Sequence, residues 1–161
     1  MIMSREAPVL VSACLLGINC RYDGGNCFDE RIARLVSRFV MIPVCPEQLG
    51  GLGTPRESMK IVGGTGSEVL NGKARVVNES GVDVTEKMLK GAEETLKIAK
   101  IFGAKRAIFK ARSPSCGCGE IRDATSPEKL IKGDGVATAL LKKNGILVIT
   151  EEEIERFADA T

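Results

Sequence analysis

Short apolar runs rich in β-branched residues alternate with helical stretches along this chain, and that alternation constrains the fold more than any other feature. Such a succession implies a parallel sheet built from βα units. Residues 8–13 read as a first strand that runs into Cys14 and a glycine-rich loop. Residues 29–39 place Ile32, Leu35, Val36 and Phe39 on one helical face. Residues 40–44 read as a second strand, although Pro43 removes a ladder donor. Residues 60–79 have β character, and Asn71-Gly72 between 68–70 and 73–77 is a two-residue hairpin signal. The clearest helix spans about 84–102, capped by Asp83 and ended by Gly103. Its apolar face is Met88, Leu89, Ala92, Leu96, Ala99 and Phe102. A strand at 104–109, a loop over about 112–134, a helix at 135–143 and a strand at 146–149 follow. Thr150 and Glu153 then open a last helix as a capping box. The expected fold is one α/β domain over 1–161, a Rossmann-like three-layer sandwich. Its sheet is mainly parallel, of about four strands, with a β-hairpin excursion.

Two residue counts narrow the chemistry. There are no histidines, which excludes Ser-His-Asp and Cys-His catalysis and every His-ligated metal. There are six cysteines, so a transition metal here must lean on thiolates. The start of the chain lacks the basic and apolar regions of a signal peptide, which argues against a disulfide framework and for a cytoplasmic location. The formal net charge is only +2 and no basic stripe is visible, so no nucleic-acid partner is expected. No apolar run approaches the roughly 20 residues that span a bilayer, so no membrane is expected either.

The cysteines fall where a site belongs. Cys14 follows the first strand, Cys45 ends the second, and Cys116 lies in the loop after the strand that closes near Phe109. In open parallel sheets, ligands bind outside the carboxyl ends of the strands. A single cysteine is more often a packing residue, but three at equivalent strand ends reverse that reading. Spacing does not choose the metal. No C-x₂-C is present, so the paired pattern of structural zinc and the run of bacterial ferredoxins are both absent. Cys20, Cys27 and Cys118 read as packing or idle thiols. Gly63-Gly-Thr-Gly66 is no phosphate loop, because no Gly-Lys-Ser/Thr follows.

Several segments together carry a resemblance. They are Ser12-Ala-Cys-Leu-Leu-Gly17 leading into Cys20-Arg-Tyr-Asp-Gly24, Cys45-Pro-Glu47, Gly50-Gly51 with Thr54-Pro-Arg56, Ser113-Pro-Ser-Cys-Gly117, and Gly133-Asp-Gly-Val-Ala137. In this order the chain resembles the 2-thiouracil desulfidase family over nearly its whole length. The resemblance implies an enzyme that removes sulfur from a small thiolated substrate without oxygen, water replacing sulfur at carbon. It implies a [4Fe-4S] cluster on Cys14, Cys45 and Cys116, with one iron left open for the sulfur. The family's acid/base falls on Glu47 and its catalytic serine on Ser113. Ser12, Arg56 and Lys110 are candidates to face substrate, and Asp23 is another unless it only shapes a turn. A monomer or weak homodimer is expected. Two competing readings are a thiol-redox protein using Cys116 with Cys118 or Cys20 with Cys27, and a cluster carrier without catalysis.

Overall fold

The computed structural model describes residues 6–126 and 128–159. The first five residues, read above for a signal segment, lie outside this range. Strands β1 (Val9–Ser12), β2 (Met41–Val44), β5 (Arg106–Phe109) and β8 (Leu147–Thr150) form one parallel sheet in the order β2-β1-β5-β8. Pro43 is tolerated because β2 is an edge strand, paired only with β1. Alternate residues of the strands feed two cores, as the period of two requires. Val9, Val11 and Ile108 meet Ile32, Leu35, Ile154 and Phe157 on one face. Leu10, Ala107, Phe109 and Val148 meet Met88, Ala92 and Leu141 on the other. Helices α1 (Glu30–Ala33) and α6 (Ile154–Asp159) supply the first layer, and α4 (Thr85–Phe102) and α5 (Val136–Lys143) the second.

The antiparallel excursion is present, but it turns differently from expectation. Strands β3 (Met59–Val62) and β4 (Arg75–Asn78) pair antiparallel, and α3 (Gly66–Leu70) stands between them. Residues 68–70 are therefore helical, and Asn71-Gly72 ends α3 rather than forming a two-residue turn. Local chemistry decides this: Glu68 accepts hydrogen bonds from the Thr65 N–H (3.2 Å) and hydroxyl (2.6 Å), closing the first turn. Val69, 1% exposed, adds an apolar anchor.

Other departures are smaller. The helix expected over 29–39 is α1 followed by a 3₁₀ turn, Arg34–Ser37. Phe102 is 57% exposed rather than buried, since the face that meets the core runs through Met88, Ala92, Thr95 and Ala99. The loop expected over 112–134 contains an antiparallel ribbon, β6 (Glu120–Arg122) and β7 (Leu130–Lys132). Three residues per strand are too few to show a period in sequence. Among the described residues, no helix is long and apolar enough to cross a membrane.

Two close approaches fix the segments behind the sheet's carboxyl edge. α2 (Pro46–Leu49) crosses α4 where Gly50 faces Gly91. A Cβ on Gly91 would sit 1.9 Å from the Pro46 carbonyl oxygen, so the backbones touch and no other residue fits. Gly135 lies against Ser115, and a Cβ there would come within 2.5 Å of its carbonyl carbon.

Candidate active site

Each wall of the site begins at a strand end. β1 ends in Ser12 and a 3₁₀ turn, Ala13–Leu16, that carries Cys14. β2 ends in Cys45, which caps α2, with Pro46 at the first helical position and Glu47 in the first turn. Behind β5, Arg112 adopts φ 68°, turning the chain into residues 113–117. That loop is held by the start of α5: Val136 N–H donates to the Pro114 carbonyl (2.8 Å) and Ala137 N–H to that of Ser115 (2.9 Å). The Thr138 hydroxyl donates to the Cys116 carbonyl (2.8 Å). The donors left over at a helix start thereby become the anchor of the loop.

These segments enclose a cavity of about 790 Å³ at the carboxyl edge of the sheet, within the usual range for small-molecule sites. It lies where the chain crosses from β2 on one side of β1 to β5 on the other. Cys14, Cys45 and Cys116 all line it, as do Glu47, Ser113, Ser12, Arg56 and Lys110. Asp23 is the one sequence candidate outside the lining; it accepts from Gly25 N–H (2.9 Å) in a turn.

The carboxylate of Glu47 is clamped at both oxygens. Arg56 Nε donates to Oε1 at 3.0 Å, and the Ser115 hydroxyl donates to Oε2 at 2.7 Å. Arg56 is itself oriented by the Gly53 carbonyl and the Thr54 hydroxyl, each at 3.1 Å. The side chains of Arg56 and Glu47 are only 9% and 12% exposed, so the pair is largely shielded from solvent screening. Ser113 Oγ accepts from Cys116 N–H at 2.7 Å, and Ser12 Oγ accepts from Lys110 N–H at 2.9 Å. Lys110 pairs with Glu151 at 3.3 Å, which leaves its charge shared rather than aimed at a ligand alone.

Two residues were missed from sequence. Ser115 is 3% exposed and touches Glu47, Ser113 and Cys116 at once. The only signal for it was its place beside Cys116. Cys20 is 2% exposed, lines the cavity, and interacts with the thiols of both Cys14 and Cys45. Cys27 and Cys118 do not line it. Cys27 lies against Arg21, and the Cys118 thiol donates to the Val148 carbonyl at 3.3 Å.

The donor set suits a cluster. Four thiols border one cavity and histidine is absent, a soft donor set of the kind that holds iron–sulfur groups. Among the described residues, no three Cys, Asp or Glu side chains converge tightly enough for a single metal ion. Burial pushes the Cys116 thiol up to about 12, and contact with Cys20, then burial, raises Cys45. Both shifts run opposite to the lowered values that make a redox thiol reactive, and all six cysteines are free. Metal binding would have to displace these protons.

A family model described as 2-thiouracil desulfurase matches residues 9–153. The chain belongs to that family. An uncharacterized protein of Bacillus subtilis (strain 168), YbbK, is 50% identical over 146 residues, 91% of this chain and 97% of its own. The solved structure of the [4Fe-4S]-dependent thiouracil desulfidase TudS is similar at a TM-score of 0.84 and 36% identity, over 96% of this chain and 97% of that one.

Proposed function

We propose that this protein is a [4Fe-4S]-dependent desulfidase that acts on a small thiolated molecule such as a 2-thiouracil-like base, releasing sulfide as water replaces sulfur at carbon. The observation that carries the reading is one cavity bordered by Cys14, Cys45 and Cys116 with a doubly clamped carboxylate, Glu47, beside them. The likeness to a protein named for this cofactor and reaction supports it. The three thiolates would hold the cluster, which when bound supplies a Lewis-acidic iron that polarises C=S. Glu47 takes the proton of the incoming water and returns it once sulfur departs, a general base then a general acid. Arg56 and Ser115 hold both of its oxygens so that it meets the reacting atoms in one orientation. Ser113 orients the water or the substrate. A thiolate-held iron–sulfur cluster would suit a reducing compartment such as the cytoplasm.

Anaerobic reconstitution followed by sulfide measurement on 2-thiouracil tests the reading. Sulfide and uracil should appear in equal amounts without added oxidant or reductant. A fully loaded protein that releases no sulfide from any of a panel of thiolated bases would be a cluster carrier instead.

A further inference from the structure

Ser115 stands between the proposed base and the proposed serine, and counting hydrogens gives the contacts a direction. Its hydroxyl has one proton and lies 2.7 Å from Glu47 Oε2, which as a carboxylate only accepts. Ser115 Oγ must therefore accept from Ser113 Oγ, 3.1 Å away. Ser113 Oγ already accepts from the N–H groups of Cys116 (2.7 Å) and Ser115 (3.2 Å), which leaves its own proton for Ser115. The Cys116 sulfur, 3.7 Å away, is a weaker acceptor than the carboxylate oxygen at 2.7 Å, so the proton goes to Glu47. The result is an oriented chain: backbone N–H to Ser113, Ser113 to Ser115, Ser115 to Glu47, with Arg56 closing the far oxygen.

We infer that Ser115 is a proton relay that joins Ser113 to Glu47 during the desulfidase reaction. The inference rests on the function proposed above and deepens it. As water attacks, it takes the place of the Ser115 N–H, the longer of the two bonds accepted by Ser113 Oγ (3.2 Å against 2.7 Å), and its proton passes to that oxygen as its own O–H bond breaks. The Ser113 proton moves to Ser115 Oγ, and the Ser115 proton moves to Glu47 Oε2. The electron pair of the broken bond stays on the water oxygen, which bonds to carbon. Both serines end with one proton each and reversed hydrogen bonds, and Glu47 ends protonated. The reverse passage returns that proton as sulfur leaves, so no external oxidant or reductant is needed. The relay is rigid because the loop is pinned. The Ser115 carbonyl accepts from Ala137 and Thr138 N–H at 2.9 and 3.2 Å, and Gly135 packs against it without room for a side chain. A buried hydroxyl so held serves proton transfer better than a mobile water.

Two measurements test it. In metal-free protein, the carboxylate stretch of Glu47 is isolated as the infrared difference between wild type and Glu47→Gln. Ser115→Ala removes one donor and should shift that band, whereas Ser115→Thr, which keeps the hydroxyl, should leave it near its wild-type position. In cluster-loaded protein at equal iron content, Ser115→Ala should lower kcat by about 10²-fold with KM within about twofold. Groups that act as a unit are not additive, so Ser113→Ala/Ser115→Ala should be no slower than the worse single variant. Activity versus deuterium fraction should be curved for wild type, with several protons in flight, and linear for Ser115→Ala. An unshifted band, or a double variant whose losses multiply, overturns the relay while wild-type turnover stands. No sulfide from loaded wild type overturns the desulfidase reading and the relay with it.

Discussion

The floor of the cavity and its rim come from different parts of the chain and are built differently. The floor is made where parallel strands end, from Ser12, Cys14, Cys45 and residues 113–116. Its polar groups are pinned: among the described residues, no buried side-chain nitrogen or oxygen lacks a partner. The rim is made by the two antiparallel ribbons. Met59, Lys60 and Asn78 come from β3 and β4 and Glu79 follows β4, while Arg122 ends β6 and residues 123–125 follow it. Its bonds are surface ones, such as Ser80 N–H to Glu57 at 3.1 Å and Ser58 to Glu79. Buried, fully satisfied groups hold one geometry, whereas exposed charges exchange partners with water at little cost. On the proposed function, the contrast places the chemistry on the floor and leaves admission of the substrate to the rim.

If that division holds, floor substitutions should be close to all-or-none. Cys116→Ser should abolish iron–sulfur absorption of the reconstituted protein, because it removes one of the three proposed thiolate ligands. Full iron and sulfide content in this variant would remove Cys116 from the ligand set. Next in size, Glu47→Gln should load a normal cluster yet lose about 10²–10⁴-fold in turnover, the usual weight of a general base. Wild-type turnover at equal iron would reduce Glu47 to an ordinary loop residue.

The floor was legible in sequence and the rim was not, for a physical reason. Cys14, Cys45 and Cys116 announce themselves because each follows an apolar run long enough to read as a strand, and strand ends in parallel sheets converge. Glu47 and Ser113 were reached through the motifs around those cysteines. The rim depends on a helix between β3 and β4 and on the three-residue strands β6 and β7. Such short elements are set by side-chain caps and tertiary pairing, which hydrophobic periodicity does not record. Ser115 was hidden for a different cause: its role follows from a contact with Glu47, 68 positions away. Asp23 shows the converse, a motif residue whose structural contact is a local turn.

The Cys116 thiol also gives the floor a pH dependence. In the metal-free protein, burial lifts Cys116 from the usual 9.0 to about 12. The unfolded thiol ionises near 9, so between these values the folded state binds more protons. Stability is therefore fully present below about 9 and is lost as pH climbs toward 12. The melting temperature of metal-free wild type should fall over that window, and Cys116→Ser should fall less. Equal slopes would mean that the buried thiol carries no such linkage.

The smallest effect should come from Lys60, and it is the sharpest test of the division between floor and rim. Lys60 lies on β3 opposite Val77, lines the cavity and is exposed to solvent. An exposed charge is worth about 0–1 kcal/mol, which limits its influence on binding to roughly fivefold. Lys60→Ala should therefore leave cluster content and kcat on 2-thiouracil unchanged and move KM by no more than that factor. The pairing of β3 with β4 runs through backbone groups, so the ribbon should survive the change. A KM shift alone would place Lys60 on the substrate's path and keep it out of the reaction. A fall in kcat of about tenfold or more, with a full cluster, would mean that a rim residue reaches the transition state. The ribbon would then be part of the catalytic machinery, and the division drawn from burial would fail at this position first, because Lys60 is the rim cation on the strand nearest the Arg56 loop in sequence.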